Sequence, residues 1–247
     1  MGKTSGLGDN FYISGFDLSG DIQSIGQLGG GPALLDVTGI KSSANEQIGG
    51  LRSGDWQFVS FWEFTSTGQG YALNALDSLP TTDVIGTYFR GTGLQSPAAA
   101  INAKQLNMDP TRDTSGNLTL AVELQANSYG MEWGEQLTAG LRTDTAATTG
   151  ADVDDGAGSS YGAQAYWQLI EFTGTSVTID INHCTTSGGS YTNLMTSGAQ
   201  TGIGAGRMSV SNTTTVDRYL EVTTVGTFTN AVFAVAFMRN ASAGIVF

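Results

Sequence analysis

Apolar residues along the chain recur with a period of two more often than with the helical period near 3.6, the mark of strands that bury one face. The strongest run is Trp56–Glu63, where Trp56, Phe58, Ser60 and Trp62 share one face and Gln57, Val59, Phe61 and Glu63 the other. Aromatics on both faces predict a central strand, or one covered on both sides. Before it, Asp36–Asp55 (DVTGIKSSANEQIGGLRSGD) is polar and carries glycines. That stretch reads as a long projecting loop beside the sheet, reaching for a partner, rather than as a hairpin turn. Phe11–Phe16 (FYISGF) is a first short strand, and Gly20–Pro32, with Gly26, Gly29, Gly30 and Gly31, reads as loop.

Tyr71–Leu79 is the best helix of the chain, with Ala72, Leu73, Leu76 and Leu79 in one stripe and Pro80 as its stop. Asp83–Arg90 is a strand. Ala98–Met108 admits two readings, since its alanines favour helix while Ile101, Ala103 and Gln105 alternate with Asn102, Lys104 and Leu106. Strand is the better assignment, because Leu118–Ala126 alternates cleanly after the turn DPTRDTSGN and completes a long hairpin. Residues 141–161 are rich in Gly, Thr and Asp and poor in large apolar groups, which predicts a linker. Beyond them the pattern is β again. Ala163–Thr173 and Val177–Asn182 are strands, Thr185–Gly206 is a long loop, and Asp217–Thr224 and Ala231–Arg239 form a hairpin through Val225-Gly226-Thr227. The apolar run Ala231–Met238 (AVFAVAFM) is far short of the roughly 20 residues of a membrane helix and reads as a strand buried on both faces. The predicted organisation is all-β with one short helix: a β domain over 1–140, a linker, and a small β-sandwich over 162–247.

Composition agrees and adds limits. The chain has 247 residues, 35 of them Gly and 4 Pro, enough to bury a real core and better suited to strands and turns than to helices. Its net charge is −12 with only 10 Lys plus Arg, and no basic run. Tight binding to nucleic acid needs cations that displace phosphate counterions, so that class is excluded; an acidic wall past which DNA slides is compatible. The single cysteine, Cys184, rules out an intrachain disulfide framework. The first ten residues lack the apolar core of a secretion signal.

Candidate chemistry is sparse. Gly158–Gly162 matches G-x-S-x-G around Ser160, but a glycine-acid segment precedes it and a strand follows, where a nucleophile elbow needs strand then helix. His183 and Cys184 are adjacent on a strand and point to opposite faces, so they share neither a metal nor a proton. Asp152, Asp154 and Asp155 precede Gly156 out of step with a calcium loop, and Ala163 stands where a bidentate Glu belongs. Glu123, Glu132 and Glu135 are available as paired carboxylates, but nothing in their spacing marks them. Tyr161, Tyr166, Trp167 and Tyr191 could stack on sugar rings, though core or subunit interface is the commoner fate of such residues. No enzyme chemistry, cofactor site or metal site is expected.

One stretch says more. Asp36–Glu63 opens on D-V-T-G, passes through an irregular loop ending in G-L-x-x-G and enters a strong strand; it resembles the tail tube (major tail) proteins of long-tailed phages that infect actinobacteria. The helix YALNALDSL and the segments AAAINAKQLNM and LTLAVELQAN are similar to the same family, so the resemblance covers roughly residues 10–140. It implies a β-sandwich or barrel with one flanking helix. Copies would form hexameric rings whose sheets join into an inner barrel, and rings would stack into a tube. DNA and the tape-measure protein would occupy the lumen, with tail-terminator and tip proteins at the ends. The product would be made in the bacterial cytoplasm and reside in the virion tail, without a membrane anchor. By position in the motif, Thr38, Lys41, Glu46 and Arg52 would lie on an assembly loop, residues 36–55, that contacts the adjacent subunit or ring. The alternative is a head decoration or tail-tip protein whose C-terminal sandwich binds a surface glycan.

Overall fold

A computed structural model describes residues 5–62, 75–77 and 79–242, and the chain is all-β. Its longest elements are β13 (Ala163–Cys184) and β16 (Tyr219–Arg239), paired antiparallel along their whole length. The breaks expected near Gly174 and at Val225–Thr227 are not turns. Register shifts at Leu169/Glu171, Thr173/Gly174 and Gly174/Ser176 make them bulges within one continuous ribbon. Glycine permits this: a Cβ on Gly174 would lie 2.5 Å from Phe228 Cα, and Gly226 adopts φ 133° against Ser176. Backbone pairing continues where the side-chain pattern stops.

A second correction concerns the opening of the chain. After β1 (Asn10–Ile13) and β2 (Phe16–Asp17), the predicted loops over Gly20–Pro32 and Asp36–Asp55 are mostly strand. β3 (Ile22–Asp36) and β4 (Gln47–Phe61) form a 15-residue hairpin, closed by residues 37–46. Glycines 29, 30 and 31 suggested a loop because they lack packing side chains, yet they still give backbone donors and acceptors to the ladder. Of the predicted helix over 71–79, residues 71–74 and 78 lie outside the described residues. Ala75 and Leu76 are buried in the N-terminal core, and a short 3₁₀ turn spans Leu79–Thr81.

β5 (Asp83–Phe89) pairs β1 and β6 (Pro97–Gln105), so Ala98–Gln105 is strand. The first four residues of the expected turn over 109–117 are instead strand β7 (Asp109–Arg112), which pairs β8 (Leu118–Ala126), so the hairpin is β7–β8 with its turn at residues 113–117. β8 meets β6 over only three pairs, Ala103–Gln105, because the upper part of β6 pairs β5 and β9 (Glu132–Gln136). β9 then hydrogen-bonds β16 on its other edge and so makes one continuous sheet of both halves. The predicted linker is a strap rather than a free connection. Its short strands β10 (Arg142–Asp144), β11 (Thr148–Thr149) and β12 (Val153–Asp154) lie along the outer edge of β16. β14 (Thr192–Thr196) and β15 (Gly204–Ser209), within the predicted loop, pair β13.

Alternation sorts the side chains into three cores. Phe11, Ile13, Trp56, Phe58, Ala99 and Ile101 belong to an N-terminal core, and Trp167, Ile179, Phe233, Val235 and Phe237 to a C-terminal one. The opposite faces of the same strands supply Tyr12, Ala98, Ala100, Tyr166, Ala234, Ala236 and Met238 to a third core between the halves. Hence β6 and β16 are apolar on both faces, as the run Ala231–Met238 predicted. At the crossing of β9 and β16 there is no spare space: a Cβ on Gly134 would fall within the shell of the Phe237 carbonyl oxygen, with Met238 Cγ 2.8 Å away. Gly134→Ala is therefore expected to destabilise the fold by about 2–3 kcal/mol, the range for overpacking at a rigid contact, read as a lowered midpoint in thermal or urea unfolding.

Candidate assembly interface

Four strands of the N-terminal half form a meander in the order β3-β4-β8-β7. Among the described residues, β3 pairs only β4 and β7 pairs only β8, so the meander has two edges with unsatisfied backbone groups. One face is core, through Trp56, Phe58, Leu120, Val122 and Leu124. The cross-strand pairs Asp55–Gln125 and Gln57–Glu123 lie on the other face, with Asp109 beside Ala121. Among the described residues of the four strands, that face carries carboxylates and amides and no Lys or Arg; Arg52 and Arg112 alternate onto the opposite side.

The β3–β4 ribbon outruns the meander. β8 supports β4 only from Asp55 to Phe61, so among the described residues Gln47–Gly54 has no strand partner but β3; at its base Ser53 O accepts from Met131 N at 3.4 Å and Gly54 O from Gln125 Nε2 at 2.8 Å. This outer ribbon leaves Leu51 89%, Leu34 69% and Ile48 52% exposed, with Ile40 bare at its tip. Leu35 pairs Ile48 on one face, Leu34 lies on the other opposite Gly49, and Leu51 sits in the bulge between them and Arg52. A two-stranded ribbon with apolar groups on both faces and nothing against either is marginal alone in water.

The ribbon leaves the body under a tight crossing. A Cβ on Gly54 would lie 2.6 Å from Met131 Cβ and 2.7 Å from Met131 N, and one on Gly30 2.8 Å from Met131 Cβ. Beside it Glu132, 2% exposed, accepts a hydrogen bond from Tyr166 Oη at 2.8 Å. Its Oε1 lies 3.8 Å from Arg52 Nη1 and 3.9 Å from Arg207 Nη2. The Arg207 guanidinium donates to Tyr166 Oη at 3.1 Å and stacks 3.8 Å over the Tyr129 ring. Burial pushes the Glu132 carboxyl above its usual range, opposed by Tyr166 and the two guanidiniums.

The four residues assigned to assembly fall in different places. Thr38 and Glu46 close the tip on each other, with Glu46 N donating to Thr38 Oγ1 at 2.8 Å and Val37 N to Glu46 O at 2.9 Å. Lys41 is exposed at the tip, while Arg52 stands at the base beside Glu132. The sequence reading missed Glu132, Tyr166 and Arg207 as a group, since they lie on three strands far apart in the chain. Only the burial of a carboxylate could have marked it.

The other candidates are held in structural roles. Ser160 is exposed in a bend, and His183 Nδ1 accepts the Asp217 N–H at 3.1 Å. Asp152 binds Ser187 and Tyr191, Asp154 pairs Arg218, and Asp155 pairs Arg239. No three His, Cys, Asp or Glu side chains gather to hold a metal among the described residues. Glu132 and Glu135 stand three apart on β9 and so face opposite ways, unsuited to work as a carboxylate pair. Tyr166 and Trp167 are buried, which removes two members of the possible sugar platform. No helix among the described residues is long and apolar enough to cross a membrane.

No family model matches the chain, and no curated protein matches it. Among solved structures it is similar to the Dit (gp 19.1) protein of SPP1, described as a paradigm of the hub adsorption apparatus in phages infecting Gram-positive bacteria. The match has 10% identity and TM-score 0.32 over 94% of this chain and 99% of that one. A likeness of that degree carries no argument.

Glu135 gives this region a pH dependence. Burial, then the neighbouring Asp155, pushes its carboxyl up to about 7, with Gln95 and Arg239 pulling back. A carboxyl raised in the fold contributes its stability fully below the ordinary value of 4.5 and loses it as pH rises through about 7. The melting temperature should fall across that window, and Glu135→Gln should flatten the fall and melt above the wild type on the alkaline side, as followed by circular dichroism.

Proposed function

We propose that the chain is a virion structural protein, a tail tube subunit that closes into rings and stacks through the β3–β4 ribbon. The observation that supports this best is the four-stranded meander with two open edges, one core face and one cation-free polar face. Edge-to-edge pairing with the next copy satisfies both rows of backbone groups and repeats one heterologous contact around a closed ring. The polar face then lines the lumen, where carboxylates repel phosphate and no counterions are released, so DNA passes without sticking. The ribbon, too long for the meander, reaches a neighbouring subunit or ring and covers its apolar groups there. The resemblance of Asp36–Glu63 to tail tube proteins points the same way, and with it come the tape-measure, terminator and tip proteins as partners and the virion tail as location.

Concentrated purified protein should form rings or tubes in negative-stain images, more readily at higher salt, which screens the repulsion between copies of charge −12. Replacing residues 33–51 by a two-residue turn should leave a folded β monomer that does not stack. Ile40→Asp should change stability by no more than about 0.5 kcal/mol, because the side chain is exposed, yet weaken assembly in sedimentation. A wild-type protein that stays monomeric under assembling conditions, or an intact tube from the truncated ribbon, refutes the reading.

A further inference from the structure

We propose that Glu132 is a positioning residue that pins the β3–β4 ribbon at a fixed angle to the body; the pin itself stands on the subunit's geometry, and its consequence for assembly rests on the tail-structural reading above. The site does little for stability. A carboxylate 2% exposed has lost its hydration, its Oε1 has no hydrogen-bond partner, and the two guanidiniums at 3.8 and 3.9 Å are beyond hydrogen-bond reach. Buried ion pairs of such loose geometry commonly break even, at best, against apolar packing, and the attested use of some is to fix one arrangement among several. Here the arrangement joins three parts of the fold. Arg52 belongs to the ribbon base, Glu132 to the strand that bridges the halves, and Tyr166 and Arg207 to the C-terminal ribbon and its edge strand.

Geometry also explains why a pin is needed at this point. The ribbon passes Met131 with glycines at 30 and 54, and a Cβ on Gly130 would lie 2.9 Å from Arg52 Cβ. The crossing is made of glycine and backbone, with Ser53 O accepting from Met131 N at 3.4 Å and Gly54 O from Gln125 Nε2 at 2.8 Å. Both bonds sit at one point of the ribbon, and beyond Asp55 no other strand pairs with it among the described residues, so they fix its position more than its rotation. Arg52 is the one cation within the two strands of the ribbon, Lys41 lying at the far tip, and its attraction to the Glu132 charge supplies the orientation.

The test is hydrogen exchange on the soluble subunit. Glu132→Gln keeps the shape and the Tyr166 contact and removes the charge. Exchange of the β3 and β4 amides between residues 28 and 54 should rise about two- to fivefold, the loss expected for one partly exposed ion pair. The protection of β13 and β16 and the global melting temperature should stay close to wild type. Arg52→Ala, which removes the ribbon's end of the contact from a half-exposed position, should give the same local effect and carries the test if the first variant folds poorly. Unchanged ribbon exchange in Arg52→Ala, or loss of protection spread evenly over the whole sheet, overturns the pin. Assembly is a separate readout. If the wild type forms no rings, the tail-structural reading falls while ribbon exchange still decides the pin. If it does form rings, both variants should give fewer and more irregular ones.

Discussion

The structure depends on a strand of five residues, Glu132–Gln136, hydrogen-bonded on both edges. Beside it the two halves meet through the third core, where four alanines lie on the strands, and through Gln168, whose side chain accepts from Gly15 N at 2.7 Å and donates to Ile85 O at 2.9 Å. Small side chains at Ala98, Ala100, Ala234 and Ala236 let the two sheets come close, and closeness is what allows β9 to reach both β6 and β16. The same closeness forbids a side chain at Gly134. It also buries Glu132, since a polar residue at the end of so short a strand has nowhere else to go. Junction, glycine and buried carboxylate are consequences of one packing distance.

The molecule treats its edges unequally. The outer edge of β16 is covered by the strap of residues 141–161, fastened by the Arg142–Asp144 unit, which accepts from Thr224 Oγ1 at 2.6 Å, and by the ion pairs Arg218–Asp154 and Arg239–Asp155. The Arg142 guanidinium also reaches Val222 O at 2.6 Å and lies over the Phe233 ring, so this fastening is partly buried and stronger than a surface pair. By contrast β3 is open over 15 residues and carries no Lys to discourage pairing. β7 is short and contains Pro110, which removes one donor from its edge. A chain that covers one edge and leaves another long and bare has restricted where a neighbour can add.

How far this was legible in the sequence follows from what each element uses to hold itself. Strands held by packing announce themselves: Trp56–Phe61 and Leu118–Ala126 alternate because one face meets a core, and Ala231–Met238 runs apolar because both faces do. β3 is held by its ladder to β4 and by few buried side chains, so its glycines read as loop. The same happens at Gly174 and Gly226, where bulges look like turns because both need glycine; the difference lies in a partner strand some fifty residues away. The strap resembled a linker since its strands are two or three residues long and its fixtures are polar. Of the candidate site, the stretch was legible but its form was not. A projecting segment was expected at Asp36–Asp55, and what projects is a ribbon whose other half comes from residues read as loop.

That change of form matters physically. A loop that reaches a partner must be ordered on binding, at a cost of about 1–2 kcal/mol per backbone residue fixed. A hydrogen-bonded ribbon has already met most of that cost and offers its apolar groups in a set register: Leu35 with Ile48 on one face, Leu34 opposite Gly49 on the other. Two apolar faces suit a ribbon that lies between other surfaces rather than on one. Such a ribbon is useful only if its direction is also set, because an error of a few degrees at the base grows along its length. At that base the backbone is glycine-rich and held at one point by Met131 and Gln125, and the charge of Glu132 is the further contact that distinguishes one direction from the rest.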